Sequence, residues 1–138
     1  MMTPPSHDII VVDTDVVSFI FKGDTRTTLY QPYLAERLGI IAAQSRAELE
    51  RWALLHNWGS RRHAELRRYL GNYLFAEVDE AICLRWAEIK VYAQLKGKSI
   101  SGADAWIAAT ALAYDAPLLT HNADDFINVS GLTVMTEK

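Results

Sequence analysis

Acidic side chains recur in this sequence shortly after apolar runs. Asp13 and Asp15 follow Ile-Ile-Val-Val at residues 9–12, and Glu48 follows the run at 39–43. Asp104 opens an Ala-rich stretch, and Asp124 and Asp125 come after Pro117-Leu-Leu-Thr. If the runs are parallel strands, these carboxylates arrive at one sheet edge, the carboxyl edge where ligand sites of open α/β sheets lie. A set of oxygen ligands without soft donors suits a hard divalent cation, Mg²⁺ or Mn²⁺, which keeps several waters and pairs with phosphate. Such an ion activates water and stabilises a leaving oxygen. Asp13, Glu48, Asp104 and one of Asp124 and Asp125 are therefore the candidate metal-binding and catalytic acids. Thr14, Asp15, Thr120 and Asn122 stand beside them and are candidates to touch substrate.

Each acid also has a local explanation. Asp13 or Asp15 can cap a following helix. Ser45 and Glu48 have the Ser-x-x-Glu spacing of a capping box, and a Glu in a first turn suits the helix dipole. Asp104 follows Ser101 at the same interval. Its neighbours Ala105, Trp106, Ile107, Ala108 and Ala109 make an enclosed helix, where an acid must be solvated, paired or metal-bound. Independent caps explain the acids one at a time; a shared cation explains their convergence.

Other chemistries find no support in the spacing. His7, His56, His63 and His121 show no paired zinc pattern, and Cys83 stands alone. There is no Gly-rich phosphate loop and no Gly-x-Ser-x-Gly elbow. Cys83, beside Ile82 and Leu84, reads as a buried, inert thiol. His121, near the acids, reads as a packing or surface residue, with substrate contact the alternative. Trp52, Trp58, Trp86 and Trp106 fall in helical apolar patterns and read as core. Arg61, Arg62, Arg67 and Arg68 crowd one helical segment with only Glu65 among them. They read as a solvated face, or as a basic strip through which Arg61 and Arg62 contact the phosphates of a polyanion.

The elements that must position these residues alternate between strand and helix. Strands are expected at 9–12, 39–43, 73–78, 117–120 and 132–136. Helices are expected at 16–21, 28–38, 45–57, 61–70, 79–96 and 103–114, with Pro32 tolerable only in a first turn, Asp79 a good N-cap and Gly97 a terminator. The long helix should turn Ile82, Trp86, Ile89 and Ala93 inward. This alternation predicts an α/β fold with a mainly parallel central sheet of about four or five strands. With 138 residues, half of them apolar, the chain suits one domain over 1–138. Residues 1–7 carry no signal-like apolar segment, no run is long enough to span a membrane, and one cysteine fits a reducing compartment, so a cytoplasmic protein is expected. The net charge of -3 argues against a dedicated nucleic-acid coat, though not against an enzyme with an acidic centre.

The motifs in order resemble those of PIN-domain ribonucleases, and within them the VapC-type toxins of toxin–antitoxin pairs. Ile-Ile-Val-Val-Asp13-Thr-Asp-Val-Val-Ser looks like the family's first strand and acid, and Ser45-Arg-Ala-Glu48-Leu its second motif. Most specific are Ser101-Gly-Ala-Asp104-Ala-Trp-Ile-Ala-Ala-Thr-Ala-Leu-Ala and Pro117-Leu-Leu-Thr-His-Asn122-Ala-Asp-Asp125-Phe126. The resemblance covers nearly the whole chain. It implies a three-layer α/β/α sandwich, Mg²⁺ or Mn²⁺, and cleavage of single-stranded or structured RNA, often tRNA. It implies Asp13, Glu48, Asp104 and Asp125 as the acids, with Asn122 a neutral ligand or water holder. A small antitoxin partner and a homodimer are implied too.

Two rival readings stand beside it. Asp13-Thr-Asp15 resembles the motif of haloacid-dehalogenase phosphatases, in which Asp13 would attack phosphorus and Asp15 would be general acid. Such an enzyme also needs a helical lysine at the phosphate and acids directly after a later strand. The other rival is a PIN scaffold that binds without cleaving.

Overall fold

The computed structural model describes residues 8–138; Met1 to His7, read above for a signal sequence, lie outside them. Five strands form one wholly parallel sheet: β1 (Ile9–Val12), β2 (Leu38–Ala42), β3 (Leu74–Ala76), β4 (Leu118–Leu119) and β5 (Val134–Met135), in the order β3-β2-β1-β4-β5. Six α-helices connect them: α1 (Thr14–Lys22), α2 (Thr27–Leu34), α3 (Ala43–Leu55), α4 (Ser60–Leu70), α5 (Glu80–Leu95) and α6 (Gly102–Ala113).

The period-two alternation of the strands builds the layers. Ile10, Val12, Ile41 and Leu119 point to one face and pack with Val16, Val17, Leu49, Leu66 and Leu70 from α1, α3 and α4. Val11, Ile40, Ala42 and Leu118 point to the other and pack with Ile82, Ile89, Ala93 and the alanines of α6. The result is the expected α/β/α sandwich. The chain builds the β1-β2-β3 side first and then crosses to β4 and β5. The order therefore reverses between β1 and β4, and that crevice is where such sheets bind ligands.

Several expectations need correction. The second helix ends at Leu34, not 38, because Leu38 joins the sheet opposite Ile9. The reversal passes through Glu36 at φ 63. Pro32 lies inside α2, beyond the first turn. The helix after β2 starts at Ala43 with Ala42 as N-cap, so Ser45 and Glu48 form no capping box; they sit inside α3, and Ser45 is buried. Cys83 is exposed, since Ile82, Ile89 and Ala93 take the inner face of α5. The cap at Asp79 is as expected, with Ile82 N donating to Asp79 Oδ1 at 2.9 Å. The edge strand β3 is three residues long and pairs with β2 alone.

Candidate active site

Asp13 leaves β1 at the crevice. Its backbone N–H still bonds Leu119 O of β4, so its side chain is fixed at the sheet edge as α1 begins. Oδ1 accepts from Thr14 N at 2.7 Å, and Oδ2 accepts from the Thr120 hydroxyl at 2.7 Å. The capping and site readings of Asp13 thus coexist in one side chain. Thr120 is fully buried and also accepts from Asn122 N at 3.0 Å. It is a bracket for Asp13 and does not line the cleft.

Asp15 opens α1. Its Oδ1 accepts from Val16 N at 2.7 Å, while Oδ2 accepts from Asn122 Nδ2 at 2.8 Å and His121 N at 3.2 Å. Asp15 therefore ties α1 to the loop after β4. His121 itself packs, as expected: Nδ1 meets the Tyr30 hydroxyl and the ring lies edge-on to Phe19.

Glu48 arrives from the second turn of α3. The Thr14 hydroxyl lies 2.6 Å from Glu48 Oε1 and 2.8 Å from Ser45 Oγ. Having one proton, Thr14 donates to the carboxylate, and Ser45 donates in turn to Thr14. Asp104 stands in the first turn of α6, whose N-cap is Ser101; Asp104 N donates to Ser101 Oγ at 3.0 Å.

Asp13, Asp15, Glu48, Asp104 and Asp125 all line one cleft of about 440 Å³, together with Thr14 and Asn122. Asp124 does not line it, and neither do Arg61 and Arg62. Arg61 lies 3.6 Å from Glu65, and the Arg62 guanidinium lies 4.0 Å above the Trp58 ring. The cleft also contains Ser18, Arg51 and Trp52, which were not expected there. Trp52, read as core from its apolar pattern, lines the cleft wall. The signal was present in the spacing: Ser18 follows Thr14, and Trp52 follows Glu48, by the four residues that put side chains on one helix face.

The electrostatics follow from burial and crowding. Desolvation, with the charge of Asp15, pushes Asp13 up to about 7, against the hydrogen bonds from Thr120 and Thr14 N. Desolvation also raises Asp15 and Asp104, and Asp104 is raised further by Asp125 and Glu48. The cleft concentrates more negative charge than its surroundings neutralise, a condition that a bound cation relieves. Among the described residues no three Asp, Glu, His or Cys side chains close into a compact ligand shell. The carboxylates border an open space, which suits an ion that keeps several waters and meets some of these acids through them.

A PIN domain family model matches residues 10–132. Ribonuclease VapC1 of Haemophilus influenzae (strain R2866) is 28% identical over 134 residues, covering 90% of this chain and 94% of that protein. The structure of VapBC2 from Rickettsia felis bound to a promoter DNA fragment superposes with a TM-score of 0.81 at 18% identity, covering 93% of this chain and 98% of that one. VapBC-1 from nontypeable Haemophilus influenzae superposes with a TM-score of 0.80 at 22% identity, covering 93% and 97%.

Proposed function

The chain belongs to the PIN domain family, and on that premise we propose that it is a VapC-type ribonuclease, the toxin of a toxin–antitoxin pair. The observation that carries this reading is the shared cleft at the β1/β4 crevice, lined by Asp13, Glu48, Asp104 and Asp125. The comparisons support it from outside, through a ribonuclease of similar length and structures solved as VapBC complexes.

The all-oxygen donor set and the raised, crowded carboxylates fit Mg²⁺ or Mn²⁺. Asp13, Glu48, Asp104 and Asp125 would hold the ion. When bound, it would supply an activated water and charge for the leaving oxygen of a phosphodiester. The chain's own residues set the geometry. Thr120 and Thr14 N orient Asp13, the Ser45–Thr14 relay orients Glu48, and Asn122 with Asp15 fixes the loop that carries Asp125. Asp15 is engaged by three donors, which suits a clamp better than the mobile general acid of a phosphatase.

The RNA is single-stranded or structured, with tRNA the family's frequent target. A small antitoxin would inhibit the enzyme, and a homodimer acting in the cytoplasm is the expected working form. Among the described residues no helix is long and apolar enough to cross a membrane. Arg61 and Arg62 remain candidates for RNA contact outside the cleft. The test is to sequence RNA ends after a brief pulse of expression beside an Asp104→Asn control. New, discrete ends with the wild-type chain and none with the variant are expected. Identical ends in both would overturn the reading.

A further inference from the structure

The cleft has two chemically different ends. The strand end holds the carboxylates. The other end lies between α1 and α3, where Ser18 and Trp52 continue the faces begun by Thr14 and Glu48, and where Arg51 is the one cation on the wall. Arg51 is exposed, and among the described residues its side chain has no hydrogen bond or ion pair. Most arginines here differ: Arg26, Arg46, Arg61, Arg67 and Arg85 each face a carboxylate. A guanidinium with no ion pair, in a cleft that also holds five carboxylates, is not spent on holding the fold.

A second cation stands outside the cleft lining, against the Trp52 ring. Lys22 is the last residue of α1, two turns beyond Thr14, and its Nζ lies 4.0 Å above the Trp52 ring centroid. Trp58 meets the Trp52 ring edge-on, with centroids 4.9 Å apart. The indole is thus held from the side and holds the ammonium over its face. That placement lowers the entropy lost when the lysine engages an anion.

We propose that Arg51, with Lys22 carried on Trp52, forms a phosphate subsite for the RNA strand next to the scissile phosphate. The inference rests on the ribonuclease reading and deepens it. A polyanion entering a carboxylate-rich cleft needs cationic contact to the phosphates that flank the reacting one, and this end supplies it. Arg51 suits the task because its planar fork bonds two phosphate oxygens at once.

The test is the rate of cleavage of a fluorogenic single-stranded oligoribonucleotide in Mg²⁺ at several KCl concentrations. Arg51→Gln should raise KM about tenfold, as expected for one charged hydrogen-bonded contact, with kcat nearly unchanged. The dependence of log(kcat/KM) on log[KCl] should flatten by about 0.7, the release expected for one single-strand phosphate contact. Arg51→Lys should restore the salt slope, and Lys22→Gln should raise KM in the same direction. Arg85→Gln, on α5 and outside the cleft, should leave both unchanged. Circular dichroism checks that each exposed-site variant is folded. Wild-type cleavage with KM and salt slope unaltered by Arg51→Gln overturns the subsite alone. A wild-type chain that cleaves no RNA overturns the ribonuclease reading and the subsite with it.

Discussion

The Thr14 hydroxyl lies 2.6 Å from Glu48 Oε1, joining the first turn of α1 to the second turn of α3 across 34 residues of sequence. The bond aims Glu48 into the cleft and away from the cap of its own helix. Glu48→Gln keeps an oxygen that can accept from Thr14 and removes the charge. Stability should change by less than about 1 kcal/mol, the net worth of an ordinary hydrogen bond. Cleavage should fall by about 100-fold or more, because a hard cation loses an anionic ligand. A large drop in melting temperature with unchanged specific activity would return Glu48 to a structural role.

Asp104 is separable from the fold for a related reason. Its helix is capped by Ser101, and its own carboxylate is raised by burial and by Asp125 and Glu48. Asp104→Asn therefore relieves repulsion while leaving the cap. Melting temperature in EDTA should hold or rise, and cleavage should be nearly abolished. For the wild-type chain, EDTA should stop cleavage, and added Mg²⁺ or Mn²⁺ should restore it. Full activity in excess EDTA would exclude the metal site.

Thr120 is a bracket whose removal should register in both fold and function. It is fully buried, donates to Asp13 Oδ2 and accepts from Asn122 N. Thr120→Val keeps the volume and strands both partners. Urea denaturation should show a loss of about 1–3 kcal/mol, the cost of unpaired buried polar groups. Cleavage should fall with it, since Asp13 loses its orientation. In a double-mutant cycle with Asp13→Asn the two losses should be less than additive. Strict additivity would mean that Thr120 acts on the fold alone.

Much of this was legible in the sequence because strands and acids alternate simply. The first strand and its terminal Asp13 follow from four apolar residues and a carboxylate, and the Asp79 cap from its position before an apolar helical pattern. What was hidden depended on tertiary contacts. Ser45 and Glu48 have the spacing of a capping box, but β2 ends at Ala42 and α3 begins at once, which moves both residues into the helix. Trp52 has an apolar neighbourhood in sequence, yet the α1–α3 seam opens into the cleft and exposes part of the indole. Cys83 shows the same limit in reverse: an apolar neighbourhood does not reveal which side of a helix meets the sheet.

The last prediction follows from Asp13, whose ordinary carboxylate value of 3.8 is pushed up to about 7 by burial and by Asp15. Between about pH 4 and 7 the folded, metal-free chain keeps a proton at Asp13 that the unfolded chain has released. Stability falls as pH rises wherever the native state binds more protons. The contribution of this group is therefore fully retained below about pH 4 and is lost progressively up to pH 7. Three pKa units amount to about 4 kcal/mol at most, and the raised Asp15 and Asp104 act in the same direction. In EDTA, melting temperature should drop between pH 5 and pH 8 more steeply for the wild-type chain than for Asp13→Asn, which stays neutral and keeps an oxygen for Thr14 N. Mg²⁺ binds the deprotonated carboxylates and should raise the melting temperature more at pH 8 than at pH 5, releasing protons as it binds. Thermal melts of both proteins at the two pH values, with EDTA or Mg²⁺, check every part. Parallel curves for wild type and Asp13→Asn would show that Asp13 is ionised in the metal-free fold, contrary to the burial argument.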